Sequence, residues 1–106
     1  ERIGSVVENS SLFSENPNVE FIRASGGNEI EMRVWEKGSG ETYSCGTGAV
    51  AAAAVFSAEA GLSEPVTVHV RGGDLRGFFE KDGSAVLSGD VRTVYHGIYD
   101  DGEDRY

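Results

Sequence analysis

Cys45 is the single cysteine of the chain, and it stands directly before Gly46-Thr47-Gly48 and a run of small apolar residues, Ala49-Val50-Ala51-Ala52-Ala53-Ala54. That composition has high helix propensity, and Gly61 falls where a left-handed C-terminal cap belongs, so the spacing predicts a helix starting at Gly46. The free amides of a first helical turn carry partial positive charge and favour an anion. Two chemistries follow. A thiol at that place is shifted toward its thiolate and can exchange protons, and a carboxylate or phosphate can rest on the amides of Gly46, Thr47 and Gly48, with the Thr47 hydroxyl as a further donor. A cysteine that merely packs, beside glycines that merely turn, stays open as the alternative on the local pattern alone.

Other chemistries lack their partners. A phosphatase-type loop needs an arginine six residues after the cysteine, and that position is Ala51. A redox pair or zinc site needs a second cysteine, and His69 and His96 do not have ligand spacing, so no metal is expected. Nothing near either histidine marks it as the base of a cysteine protease. The segment EKGSGE lacks the Gly-Lys-Ser/Thr order of a nucleotide-binding loop.

The elements that must position Cys45 are strands. VEFIRA and NEIEMRVWEK flank Ser25-Gly26-Gly27, which predicts an antiparallel hairpin. In its second arm Ile30, Met32 and Val34 share one face and Glu29, Glu31 and Arg33 the other, and the same period brings Glu36 into line with the apolar face. After the helix, VTVHV alternates, Gly72-Gly73 turns into LRGFFE, Lys81-Asp82-Gly83 turns again, and AVLS and VRTVYHGIY read as two more strands. Because the helix is small and apolar nearly all round, it should be enclosed. The expected fold is α+β, with an antiparallel, β-barrel-like sheet wrapped around one central α-helix. Residues 1–106 form one domain, with a polar lead-in over 1–17, barrel and helix over 18–99, and an acidic tail over 100–106.

Nine basic residues against eighteen acidic ones give a net charge of −9. A surface of that sign argues against nucleic acid and anionic membrane as partners, and no window approaches the roughly 20 apolar residues of a membrane span. ERIGSVVENS has neither the cationic leader nor the apolar core of a signal peptide, and a lone cysteine fits a reducing compartment, so a cytoplasmic location is expected. The first residue is not methionine, which leads to the expectation that a preceding segment has been removed.

NVEFIRA, RVWEKGSGETYSCGTGAVAAA and VTVHVRGGDL, in this order, resemble the C-terminal half of a diaminopimelate epimerase; the similarity covers about residues 6–98, and GSGETYSCGTGA is its most specific part. The resemblance implies a protein of two similar halves, each a sheet around a helix, that meet at an active-site cleft. It implies conversion of LL-diaminopimelate to the meso form, for lysine and cell-wall synthesis, by two cysteines on opposite faces of the α-carbon with no cofactor. It makes Cys45 the acid–base residue, Gly46 and Thr47 the holders of the α-carboxylate, and Asn18, Glu36 and Lys37 contacts to the substrate's polar groups. Lys37 stands where the family usually has arginine, which replaces a bidentate fork by a point charge. Val50 occupies a position often held by another cysteine, and ENSSLFS replaces a segment that usually carries a histidine and prolines. The implied partners are an amino-acid substrate and an N-terminal half, with a homodimer through the uncovered cleft as a further expectation. A free-standing binding or structural module of the same fold, and a related cofactor-independent racemase or isomerase, are the alternative readings.

Overall fold

The alternation of Glu29–Glu36 appears in space as the spine of the molecule. A computed structural model describes residues 2–102. Its elements are α1 (Arg2–Glu8), β1 (Val19–Gly26), β2 (Glu29–Glu36), β3 (Gly40–Thr42), α2 (Gly46–Ala60), β4 (Val66–Val70), β5 (Gly73–Phe79) and β6 (Ala85–Gly89). Ile30, Met32 and Val34 of β2 are buried while Glu29, Glu31 and Arg33 are exposed, as the period of two requires. β1 and β2 pair antiparallel around a turn at Gly27-Asn28, with Val19 opposite Trp35 and Ala24 opposite Ile30.

The sheet has six strands in the order β1-β2-β4-β5-β6, with β3 attached to β2. β2 is shared along its second edge: Glu29–Glu31 pair with β4, and Val34–Glu36 pair with β3. The β2–β4 pair is parallel, so the expectation of a wholly antiparallel sheet is corrected. The reason lies in the connection: α2 carries the chain back along the sheet before β4 begins, the crossover that parallel strands need.

α2 begins at Gly46 and ends at Gly61, whose φ of 63° and ψ of 34° lie in the left-handed region and whose N–H donates to the Ser57 carbonyl. One stripe of the helix, Gly48, Ala49, Ala52 and Ala53, is buried against Ile30, Met32, Val34, Val66 and Val68, and these apolar side chains form the core. Small side chains permit close approach. A Cβ added to Gly77 of β5 would stand 3.0 Å from Ala53 Cβ. The other side of the helix is open, with Ala51 exposed and Val55 57% exposed. α2 touches β1, β2, β4, β5 and β6, but the sheet does not close around it, which corrects the expected enclosing barrel.

Two further expectations change. The lead-in over 1–17 contains α1, held because Gly4 lies against the Trp35 ring, where a Cβ would come within 2.6 Å of Cγ. Glu8 at the end of α1 accepts hydrogen bonds from Trp35 Nε1 (2.7 Å) and from the Gly38 N–H (3.2 Å). At the other end, residues 91–99 form no strand, and Val91, Val94, Tyr95, Ile98 and Tyr99 are all strongly exposed, Ile98 at 99%. An alternating sequence needs a sheet edge to become a strand, and among the described residues none pairs with this one. The acidic tail over 100–106 lies outside the described residues from position 103 onward. No helix among the described residues is long and apolar enough to cross a membrane.

Candidate functional site

The short β3 leads through Tyr43 and Ser44 to Cys45, whose extended backbone (φ −141°, ψ 114°) makes it the N-cap of α2. Its carbonyl accepts the first helical hydrogen bond, from the Ala49 N–H at 2.9 Å. The cysteine side chain does not cap the helix. Sγ instead lies 3.5 Å from Thr47 Oγ1, and the residue is half-buried. Gly46 and Thr47 at the helix start are exposed, while Gly48 is buried. Gly46, Thr47, Val50 and Leu87 line a hollow of about 370 Å³ at this helix start. Leu87 closes one wall, 3.3 Å from where a Gly46 Cβ would be.

The remaining predicted residues gather at the end of the β1–β2 hairpin. Asn18, just before β1, accepts through Oδ1 from the Lys37 backbone N–H at 2.8 Å, which ties the residue after β2 to the one before β1. Glu36 is half-buried and lies on the core-facing side, as its period indicates. Thr42 Oγ1 donates to Glu36 Oε1 at 2.6 Å and lies 3.3 Å from the Ser44 carbonyl, so one hydroxyl links the Glu36 carboxylate to the strand that delivers Cys45. The structure thus places Cys45, Gly46 and Thr47 in one group and Asn18, Glu36 and Lys37 in another, with Thr42 between them. The positive charge of Lys37 acts on Glu8 and helps to hold that carboxyl below its ordinary range, after the larger effect of the Trp35 hydrogen bond.

Two participants were absent from the sequence reading. Thr42 is one. The other is Glu20, which stands opposite Val34 on the helix-bearing side of β1. Its side chain lies along the first turn of α2, where a Cβ on Gly48 would meet its Oε1 at 2.5 Å and its Cγ and Cδ at 3.1 Å. Burial raises the Glu20 carboxyl above its ordinary range, and the nearby Glu36 adds in the same direction. The signal was available: the period that turned Glu36 inward, applied to Glu20-Phe21-Ile22, turns Glu20 inward as well.

A second face carries different polar pairs. Arg33 forms two hydrogen bonds of 2.7 Å with Glu41, which hold the Glu41 carboxyl down to about 2, and Arg71 stacks over Tyr43 at 5.2 Å while its Nη1 lies 3.4 Å from Glu41. A hollow of about 950 Å³ opens there beside α1, lined by Ile3, Val6, Phe21 and Trp35 with the Arg33–Glu41 pair at its wall. It is the larger of the two hollows. It holds none of the predicted site residues, whereas the smaller hollow is lined by two of them, Gly46 and Thr47. Among the described residues no group of His, Cys, Asp and Glu could hold a metal ion.

Comparison with known proteins meets the same segment. The family model described as diaminopimelate epimerase matches residues 1–94. Proteins named diaminopimelate epimerase from Bacillus cytotoxicus and Bacillus thuringiensis are 40% and 39% identical to the chain over 100 residues, and one from Bacillus velezensis is 44% identical over the same length. Each match covers 92% of this chain and 35% of the relative. The chain therefore spans about a third of the length of the curated relatives it matches.

Proposed function

The chain belongs to the diaminopimelate epimerase family, and from that premise we propose that it is the C-terminal, Cys45-bearing domain of a cofactor-independent amino-acid epimerase that interconverts LL- and meso-diaminopimelate in lysine biosynthesis. The observation that carries this reading is the Cys45 thiol at the head of α2, which does not cap the helix and lies beside the exposed residues Gly46 and Thr47. Removing the α-proton of an amino acid drives negative charge onto its carboxylate, and amides preset at a helix start stabilise that charge as it develops. Cys45 is the acid–base group on one face of the α-carbon. The Gly46 and Thr47 amides and the Thr47 hydroxyl hold the α-carboxylate. Glu36, kept in place by Thr42, and Asn18 take the substrate's polar groups, and Lys37 supplies a point charge at the edge of the site.

Inversion needs an acid–base group on each face, and this chain has one thiol. The second belongs to a partner half that closes the cleft over Cys45. Support comes from residues 91–99, whose exposed apolar side chains have the character of a surface made to meet protein. The enzyme so formed is cytoplasmic.

The test compares this chain alone with the same chain joined to the remaining two thirds of a Bacillus relative. α-Proton exchange in heavy water and conversion of LL-diaminopimelate are followed together. Conversion is expected only in the joined protein and is lost there in Cys45→Ala, by at least about a hundredfold. Full turnover by the chain alone as a monomer refutes the reading.

A further inference from the structure

β3 is three residues long and delivers Cys45 to the head of α2, so whatever holds β3 and the two residues after it decides where the thiol stands. Neighbouring residues of a strand point to opposite faces of the sheet. On the core side Thr42 bonds Glu36, and on the outer side Glu41 meets Arg33 at 2.7 Å. A further hold comes from the turn between β4 and β5. The pairing of β4 with β2 ends at Glu31 and that of β3 begins at Val34, so β3 and β4 come together along one edge of β2. Three contacts join them there. Arg71 Nη1 lies 3.4 Å from Glu41 Oε1, the Arg71 guanidinium is 5.2 Å from the Tyr43 ring centroid, and the Gly72 N–H donates to the Tyr43 carbonyl at 2.9 Å. The approach leaves little room, since a Cβ on Gly72 would stand 3.3 Å from the Tyr43 carbonyl oxygen and 3.6 Å from Ser44 Cβ.

We propose that Arg71 and Gly72 are positioning residues for the site: their turn grips Tyr43 and Ser44, and through them sets where Cys45 and the start of α2 stand relative to Glu36. This rests on the acid–base role given to Cys45 above. The Gly72 N–H fixes the peptide that follows Tyr43, two residues before the thiol. Arg71 holds the same segment from the outer face, through the Tyr43 side chain and through Glu41. The Glu41 carboxyl is held down to about 2, by Arg33 first, so the anion that Arg71 meets persists at any neutral working pH. The Arg71 side chain is 54% exposed, and ion pairs so exposed contribute little to the stability of the whole fold. Their effect on geometry is another matter. Reacting groups tolerate little displacement, and a misplacement of about 1 Å can cost about a hundredfold in rate. A contact nearly neutral for folding is thus able to weigh heavily on turnover.

The experiment uses the chain joined to the remaining two thirds of a Bacillus relative. Arg71→Ala should lower kcat by about tenfold or more while KM stays within about threefold, with the urea midpoint hardly moved. Arg71→Lys keeps a cation for Glu41 and for the Tyr43 ring and should recover most of the loss. Gly72→Ala is the second probe. Gly72 does not have positive φ, so alanine suits its backbone and acts on Tyr43 and Ser44, and kcat should fall as in Arg71→Ala. Unchanged kcat in both Arg71→Ala and Gly72→Ala overturns the proposal. So does a loss that comes with a lower urea midpoint and that Arg71→Lys does not relieve, which would assign the turn to stability alone. In this chain by itself, amide hydrogen exchange at Ala49, whose N–H bonds the Cys45 carbonyl, reads the seating of Cys45 without substrate and should quicken about three- to tenfold in Arg71→Ala and Gly72→Ala. If the joined wild type fails to epimerise while that exchange quickens, the enzymatic reading falls and the positioning stands; exchange unchanged in both variants rejects the positioning.

Discussion

Gly77→Ala tests whether α2 sits on β5 as closely as the structure has it. The new Cβ would stand 3.0 Å from Ala53 Cβ, whereas carbon atoms rest comfortably at about 3.5–4.0 Å. Helix and strand must therefore part by a few tenths of an ångström. Neither side can yield by rotating a side chain, because both contacts are Cβ atoms and Ala53 is fully buried in the core. Overpacking of this kind costs about 1–3 kcal/mol. Gly77 does not have positive φ, so alanine fits its backbone, and the restricted unfolded chain returns about 0.4–1 kcal/mol. The net expectation is a loss of about 1–2 kcal/mol, measured as a lower urea midpoint at unchanged slope. Ala53→Gly removes the opposing Cβ and costs about 1 kcal/mol as a helix glycine. Combined with Gly77→Ala it restores the space, so the double-mutant cycle should show favourable coupling of about 1–2 kcal/mol. A neutral Gly77→Ala, or strict additivity, refutes the packing of α2 on β5.

Two other predictions concern the outer face. His69 has Nδ1 at 2.7 Å from Asp74 and Nε2 at 2.8 Å from Glu29, and these bonds, Asp74 first, raise its proton affinity. A raised histidine contributes stability that is complete below its unfolded value of about 6.5 and is lost as pH rises through the folded value, so urea midpoints in wild type should fall above that pH relative to His69→Gln, and parallel curves would dismiss the cluster. Gly4→Ala should push α1 off the Trp35 ring, where a Cβ would come within 2.6–2.8 Å; because Trp35 is the single tryptophan, its emission should shift to the red, and an unmoved spectrum would show that α1 packs elsewhere.

Much of the site was legible because two periodicities carry it. Alternation along Glu29–Glu36 put Glu36 on the core side, and the alanine run with Gly61 set both ends of α2. The rest depended on tertiary contacts. RIGSVVE is a poor helix by itself, with a glycine and two adjacent valines, and α1 forms where the Trp35 ring and Glu8 hold it. Alanine gave a false indication of enclosure. A small side chain suits both a crowded face and an open one, so Ala51 and Ala53 look alike in sequence while one is exposed and the other buried. Strand direction was likewise hidden in composition, although a helix between β2 and β4 is the cue for a parallel pair.

The shared edge of β2 also orders events as the chain folds. β1 and β2 are joined by a two-residue turn, and β3 follows β2 closely, so these contacts are local and form early. Pairing Ile30 with Val68 requires the whole intervening stretch, α2 included, to be drawn back along the sheet, and the entropy of closing that loop is lost before the contact is gained. The strand that finishes β2 therefore waits for the helix. Changes at the β2–β4 pairing, such as Val68, should slow folding, while changes in residues that join the sheet afterwards should chiefly speed unfolding. Cys45 lies at the junction of the early hairpin and the late crossover, so the thiol acquires its helix environment only in the step that commits the chain to its native topology.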